Sequence, residues 1–270
     1  MELAEHAVAK VAHNGARWPV LRHLAPYLPA IMPAIMPAIL IAPDLAALFL
    51  DFDGTLVDIA PRPEAVTVPP DLPALLARLA GRLGGALAIV SGRPLAQLEA
   101  LLPVALPMAG DHGATLRLMP GAPLGRRDLP VPPVDWLSRA EALAAGFPGA
   151  SVERKAHGFV LHYRLAPEAA EIARAGLERM AAAQDDFVVM PARMAWEVKP
   201  RAVSKGTAVA ELMAQPAFAG RRPLFIGDDV TDEAGFEAAR AAGGLGLRLQ
   251  DAFGTPAALR AWLARMGSTP

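Results

Sequence analysis

The sequence contains no cysteine, which excludes disulfide bonds, thiolate nucleophiles and cysteine-ligated zinc. It also lacks an excess of one charge, since 26 Lys and Arg residues stand against 27 Asp and Glu residues. Nucleic acids and membrane surfaces attract proteins with a basic excess, so neither is indicated as a partner. No uninterrupted apolar stretch reaches the roughly 20 residues that a membrane-spanning helix needs.

Proline, in contrast, is plentiful and divides the most apolar stretch of the chain. The stretch from Pro29 to Pro43 reads PAIMPAIMPAILIAP, and its regularly spaced prolines interrupt any helix. We therefore interpret residues 1–44 as a poorly defined N-terminal arm. Glu2 and Glu5 precede any apolar run and no basic segment leads it, so no signal peptide is indicated. We expect a soluble protein of the cytoplasm.

Three short apolar runs end abruptly in polar residues. They are Ala46 to Leu50 before Asp51, Leu87 to Val90 before Ser91, and Leu224 to Ile226 before Gly227 and Asp228. Such runs are typical of strands that are buried on both faces, as in a parallel sheet. Helical patterns alternate with them, which predicts a doubly wound α/β core. Ligands bind such sheets at the carboxyl ends of the strands, where these polar residues fall.

The middle of the chain has a different pattern. Helical stretches are mixed there with strand-like pieces, at Gly158 to Arg164, Phe187 to Met190 and around Met194 to Val198. We predict a smaller α+β domain inserted into the first. The predicted core comprises residues 45–117 and 199–266, and the predicted insert comprises residues 118–198.

Two acids stand two positions apart in the motif DFDGT at residues 51–55. Asp51 could attack phosphorus as a carboxylate. Asp53 could protonate the leaving oxygen and then activate water. Thr55 could offer its hydroxyl to a phosphate oxygen. Because Asp and Gly are also common in turns and helix caps, this motif alone leaves a structural role open.

Ser91 and Lys205 each lie close to the start of a predicted helix. Ser91 could bind a phosphoryl group there, or could simply cap the helix. Arg93 is expected to be an exposed or structural arginine. The positive charge of Lys205 at a helix N-terminus interacts unfavourably with the helix dipole, and a bound anion would compensate for this. We therefore predict that Lys205 pairs with phosphate and Asp51. A solvated lysine is the alternative.

Four acids occur within six residues of the motif GDDVTDE. Such carboxylates repel one another without a cation, and oxygen ligands without cysteine favour Mg²⁺ over zinc. Asp228 is the first predicted ligand and Asp229 the second, through water or directly. Asp232 and Glu233 could instead cap the next helix or orient Lys205.

Taken in order, these motifs resemble those of haloacid dehalogenase-like phosphatases. The strings LFLDFDGTLVDIAPRPEAV, VSGRP, AGDHGA, VERKAHGFVLHYR, EVKPRAVSKGTA and GDDVTDEAGF resemble the trehalose-6-phosphate phosphatase family across about residues 46–266. The resemblance implies a phosphoric monoester hydrolase of trehalose biosynthesis. It would release trehalose and phosphate from trehalose 6-phosphate with Mg²⁺, through an aspartyl-phosphate.

The resemblance also implies a role for each core residue. Asp51 would be the nucleophile and a metal ligand, and Asp53 the acid and base, with its backbone carbonyl on the metal. Ser91 and Lys205 would bind phosphate, and Asp228 would hold Mg²⁺.

The inserted domain would be a C2-type cap that binds the sugar. By motif position, its sugar-binding residues would be Glu153, Lys155, His162, Arg164 and Glu197. Alternation along a strand places His162 and Arg164 on one face. Charged groups suit sugar hydroxyls, although cross-strand surface pairing would explain the same residues. His112, near the hinge, is expected to be structural, with a substrate role as the alternative.

Three other functions remain open. The first is a phosphatase of another sugar phosphate, such as sucrose phosphate or mannosyl-phosphoglycerate, which only the cap residues would distinguish. The second is a non-catalytic module that binds sugar phosphates, although Asp51 and Asp53 are both present. The third is a phosphomutase, which would move the phosphate within the sugar.

Overall fold

A computed structural model describes residues 45–268 except residues 61, 127 and 193. The predicted arm, residues 1–44, lies outside the described residues. In chain order, the strands are β1 (Ala46–Leu50), β2 (Leu87–Val90), β3 (Met108–Gly110), β4 (Thr115–Arg117), β5 (Gly125–Arg126), β6 (Ser151–Lys155), β7 (Gly158–His162), β8 (Phe187–Ala192), β9 (Ala195–Pro200), β10 (Arg222–Gly227) and β11 (Leu245–Arg248). The helices are α1 (Leu72–Arg82), α2 (Leu95–Leu101), α3 (Val134–Ala145), α4 (Ala170–Ala181), α5 (Lys205–Met213), α6 (Glu233–Ala241), α7 (Leu249–Ala252) and α8 (Pro256–Ser268).

The larger sheet has seven strands in the order β11-β10-β1-β2-β3-β4-β5. The strands from β11 to β3 pair in parallel, and β4 and β5 add an antiparallel edge. β1 is central, and all five of its residues are buried, as its unbroken apolar run predicts. The predicted α/β fold with a parallel sheet is confirmed.

The smaller sheet is antiparallel, with four strands in the order β6-β7-β9-β8. Helices α3 and α4 pack on it around an apolar cluster of its own. Trp136 and Phe187 meet edge to face in that cluster, with ring centroids 5.3 Å apart. A second core of this kind is what an inserted α+β domain requires.

The sheets do not divide the chain at the predicted boundaries. β5 pairs with the larger sheet although it lies within the predicted insert, residues 118–198, and β9 continues to Pro200. The boundaries themselves stay a prediction. Among the described residues, no helix is both long enough and apolar enough to cross a membrane.

Candidate active site

Three neighbouring strands of the larger sheet deliver polar residues to one edge. Leu50 of β1 is in register with Ile226 of β10 on one side and Ile89 of β2 on the other. Asp51 follows Leu50 directly, and Ser91 and Asp228 follow their own strands within two residues. Parallel strands end at the same edge of a sheet, so these side chains converge.

Lys205 lies between two carboxylates in the buried centre of this edge. Its Nζ donates to Asp51 Oδ1 and to Asp232 Oδ1, at 2.6 Å each. Burial alone would lower the pKa of Lys205, but Asp232 and Asp51 outweigh burial and raise it. Helix α5, which carries Lys205, begins with a capping box between Ser204 and Thr207 that holds its first turn in place. Lys205 is therefore a fixed cation beside Asp51.

The negative charge at this edge exceeds what one lysine can balance. One carboxylate oxygen from each of Asp51, Asp228 and Asp232 lies within 4.8 Å of the others. Desolvation by burial raises the pKa of Asp51 well above its ordinary value despite Lys205. Burial, with Asp232 and Asp229 nearby, raises the pKa of Asp228 to about 6. These groups fit a divalent cation, which would stabilise their ionised forms.

Asp232 is the least suited of the three carboxylates to bind a metal. Its Oδ1 accepts from Lys205, and its Oδ2 accepts from the backbone N–H groups of Asp228 and Asp229, at 3.0 Å each. These bonds fix both the loop after β10 and the ammonium group. The expectation that Asp232 could orient Lys205 agrees with this contact, and Asp51 and Asp228 remain as the carboxylates open to a cation.

Gly54 allows Asp228 to approach the loop after β1. Its φ of +80° is in the left-handed region that favours glycine. A Cβ there would lie 2.2 Å from Asp228 Oδ2, so any side chain would displace that carboxylate. The Thr55 hydroxyl donates to Asp228 Oδ1 at 3.3 Å. Thr55 is thus placed to orient Asp228, and its predicted contact with phosphate stays a prediction.

Arg93 is neither exposed nor remote from the predicted chemistry. Its Nε donates to Asp53 Oδ2 at 2.6 Å, and its Nη2 donates to Asp53 Oδ1 at 2.7 Å. Only 9% of Arg93 is exposed. Sequence reasoning left this residue among exposed or structural arginines. Its position two residues after Ser91, at the same sheet edge as Asp53, was the available signal.

A cavity of about 500 Å³ opens between this edge and the smaller sheet. That volume is within the range of about 300–1,000 Å³ that is usual for small-molecule sites. The larger sheet and its loops contribute Asp51, Asp53, Ser91, Lys205, Asp228 and Asp229 to the lining. The smaller sheet and the turn after β7 contribute Glu153, Lys155, His162, Arg164 and Glu197. Thr55 is not among the lining residues and lies buried nearby.

The charged side chains by which the smaller sheet lines the cavity form pairs with one another. His162 Nε2 lies 2.9 Å from Glu153 Oε2, and Lys155 Nζ donates to Glu197 Oε1 at 3.1 Å. Arg164 lies just beyond β7 and donates to the Ala60 carbonyl in the loop that follows the DFDGT motif. Cross-strand pairing, the alternative role of these residues, is present between the half-buried Glu153 and His162, whereas the side chains of Lys155 and Glu197 are buried. All five predicted cap residues also face the same cavity as Asp51.

Residues 49–252, about three quarters of the chain, match the model of the family described as trehalose-phosphatase. The chain belongs to the trehalose-phosphatase family. It is 44% identical over 211 residues to a protein named probable trehalose-phosphate phosphatase from Sinorhizobium fredii, covering 75% of this chain and 77% of that one. It is 36% identical over 232 residues to trehalose-6-phosphate phosphatase from Escherichia coli, covering 83% of this chain and 82% of that one.

A solved structure has the same fold. The C-terminal domain of trehalose-6-phosphate phosphatase from C. albicans superposes with a TM-score of 0.73 at 21% identity, covering 87% of this chain and 97% of that one. At this identity the likeness concerns the fold alone. Membership of the trehalose-phosphatase family makes this chain a phosphatase, as its motifs indicate.

Proposed function

We propose that this protein hydrolyses trehalose 6-phosphate to trehalose and phosphate, with Mg²⁺ and through an aspartyl-phosphate on Asp51. One observation carries the proposal. Asp51 and Lys205 meet at one end of a cavity whose other end presents charged side chains of the smaller sheet. The first end suits a phosphoryl group and the second suits sugar hydroxyls.

In the first step, an Asp51 carboxylate oxygen bonds to phosphorus while the bond between phosphorus and the sugar oxygen breaks. Asp53 gives its proton to that leaving oxygen, which becomes the free hydroxyl of trehalose. Lys205 stays beside Asp51 and balances charge on the phosphoryl oxygens. Protonation of Asp53 removes the negative charge that strengthens its two hydrogen bonds to Arg93, so these bonds weaken during the cycle.

In the second step, water attacks the phosphorus of the aspartyl-phosphate. Asp53 accepts the proton of that water, and the bond between phosphorus and Asp51 breaks. Inorganic phosphate leaves, the Asp51 carboxylate is restored, and Asp53 holds a proton for the next cycle. Ser91, which lies at the same edge, is the proposed donor of a hydroxyl hydrogen bond to a phosphoryl oxygen.

The carboxylates of Asp51 and Asp228 are the proposed side-chain ligands of Mg²⁺, with the Asp53 carbonyl and Asp229 as further predicted contacts. Both carboxylates are hard oxygen donors at the cavity, and Lys205 alone cannot balance their charge together with that of Asp232. When bound, the ion supplies positive charge to the phosphoryl oxygens and orients them for attack. Thr55 orients the proposed ligand Asp228 by a hydrogen bond to its carboxylate, and Asp232 fixes the loop by accepting from the Asp228 backbone N–H.

The proposed substrate is tested with a panel of phosphorylated sugars at equal concentration. It should contain trehalose 6-phosphate, sucrose 6-phosphate, mannosyl-phosphoglycerate and glucose 6-phosphate, with phosphate release as the measurement. We expect trehalose 6-phosphate to have the highest kcat/KM. A higher value for another member would reassign the substrate, and an isomerised sugar phosphate without phosphate release would indicate a mutase.

Removal of divalent ions is expected to stop turnover. Without a cation, the carboxylates of Asp51, Asp228 and Asp232 would repel the phosphate group of the substrate. The measurement is phosphate release after treatment with EDTA, and again after Mg²⁺ is restored in excess. Thermal unfolding without substrate is a second readout, because an ion that binds only the folded protein raises Tm. Full activity after exhaustive chelation would contradict the metal site.

Replacement of Arg164 by alanine is expected to raise KM for trehalose 6-phosphate by about tenfold or more, the effect of losing one charged hydrogen bond. KM for a small aryl phosphate, which does not reach Arg164, should change far less. The control is Arg174→Ala, which removes an exposed arginine of α4 that pairs with Glu171 and Glu178. Equal changes for both substrates would remove Arg164 from the sugar site.

A further inference from the structure

His112 connects the larger sheet to the smaller one through a hydrogen bond. It lies in the short 3-10 turn Asp111–Gly113, directly after β3. Its Nε2 lies 2.8 Å from Oε2 of Glu197, which belongs to β9 of the smaller sheet. Both side chains are almost fully buried, at 7% and 3% exposure, and both line the cavity. A buried hydrogen bond to a carboxylate is strong enough to set the position of that carboxylate.

The second oxygen of Glu197 is also occupied. It accepts from Lys155 Nζ, and Lys155 in turn donates to the Gly92 carbonyl at 2.8 Å. Gly92 follows Ser91 in the loop predicted to bind phosphate. Glu197 and Lys155 of the smaller sheet therefore contact the larger sheet at two places, Glu197 at the His112 ring and Lys155 at the Gly92 carbonyl.

The backbone and the neighbours of His112 fix its ring. Asp111 and His112 have φ values of 50° and 56°, which non-glycine residues adopt rarely and at some energetic cost. A Cβ on Gly92 would lie 2.7 Å from the His112 ring, so the ring rests directly on this glycine. A strained turn that aims one side chain into a cavity is typical of functional sites.

The hydrogen bonds indicate which tautomer His112 adopts. Its Nδ1 is buried and has no hydrogen-bond partner among the described residues, so a proton is better placed on Nε2. Burial also lowers the pKa of His112, more than Glu197 raises it. Burial would raise the pKa of Glu197, but His112 and Lys155 together lower it. His112 therefore donates from Nε2 to an ionised Glu197.

We infer that His112 is a positioning residue for sugar recognition, because it holds the carboxylate of Glu197 at the sugar end of the cavity. This inference rests on the proposed function and adds a residue of the larger sheet to its specificity. Glu197 accepts hydrogen bonds from both His112 and Lys155 only when the smaller sheet lies against His112. Sugar binding by Glu197 and closure of the cavity are then coupled through this contact.

Two substitutions separate a positioning role from a purely structural one. In His112→Asn, the side chain tolerates the left-handed backbone but is too short to reach Glu197. In His112→Gln, the amide nitrogen extends about as far as Nε2 of histidine, but glutamine adopts the left-handed backbone at this position less readily than asparagine does. If His112 positions Glu197, kcat/KM for trehalose 6-phosphate should fall about tenfold or more in the Asn variant and recover in the Gln variant. Hydrolysis of a small aryl phosphate should fall much less in both.

A double-variant cycle provides a second measurement that does not depend on the folding of the Gln variant. In a Glu197→Ala background, His112→Asn should cause little further loss of kcat/KM for trehalose 6-phosphate. Additive losses would overturn the inference, as would an Asn variant that matches the wild type. If the wild-type enzyme itself fails to prefer trehalose 6-phosphate to other sugar phosphates, the proposed substrate fails, and the role of His112 in selecting it fails too.

Discussion

Replacement of Asp51 by asparagine is expected to lower phosphate release from trehalose 6-phosphate by at least about ten-thousandfold, as loss of a covalent nucleophile does in other enzymes. The amide is nearly isosteric and can still accept a hydrogen bond from Lys205, but it cannot form the aspartyl-phosphate. The measurement is phosphate release under saturating substrate and Mg²⁺. Turnover within tenfold of the wild-type value would refute the assignment of Asp51 as nucleophile.

The same variant should keep its fold. In the metal-free protein, Asp51 is one of three buried or half-buried carboxylates that share one lysine, so loss of its charge relieves repulsion. We therefore expect Tm without metal to be no lower than that of the wild type. The control is Asp71→Asn, an exposed aspartate before α1 whose side chain makes no capping bond. A large fall in Tm would mean that lost activity reflects unfolding.

Replacement of Lys205 by methionine is expected to have the largest combined effect on stability and activity. Methionine has a similar length but no charge, so Asp51 and Asp232 would face each other without the cation that separates them. Breaking a buried ion pair in this way costs about 3–5 kcal/mol in the free energy of unfolding. Loss of a preorganised charge at the phosphoryl group lowers kcat by about a hundredfold to a thousandfold.

Denaturant unfolding and steady-state kinetics measure the two effects separately. The control is Arg78→Ala, which removes an exposed cation of α1 on the surface. A second change, Asp232→Asn in the Lys205→Met variant, should restore much of the stability, because the amide can donate to Asp51. It should not restore kcat, since the phosphoryl group still lacks its cation. An unchanged free energy of unfolding in Lys205→Met would contradict the stabilising role of the buried pairs.

The sequence was informative where one short segment carries both a strand and its chemistry. The apolar runs before Asp51, Ser91 and Asp228 predicted β1, β2 and β10, and the structure has all three. Their order predicted a parallel sheet with its polar residues at one edge, because parallel strands of a doubly wound sheet end together. Helix α5 begins at Lys205, as the local pattern indicates, since its capping box lies within four residues.

Short strands were not predictable in this way. β4 has three residues and β5 has two, which is too few for a period to be recognised. β4 is defined by its pairing with β3 and β5, and β5 by its pairing with β4. β6 was also missed as a strand. Its residues alternate only partly, and its pairing with β7 supplies the backbone hydrogen bonds that define it.

By itself, then, the sequence determined the fold class, the family and the acids, serine and lysine of the sheet edge, because each follows from residues close together in the chain. Only the tertiary structure decided which charges pair. Asp53 with Arg93, Glu197 with His112 and Asp232 with Lys205 are contacts between segments distant in sequence. The strength of each pair depends on burial and on the few tenths of an ångström that the folded chain alone sets.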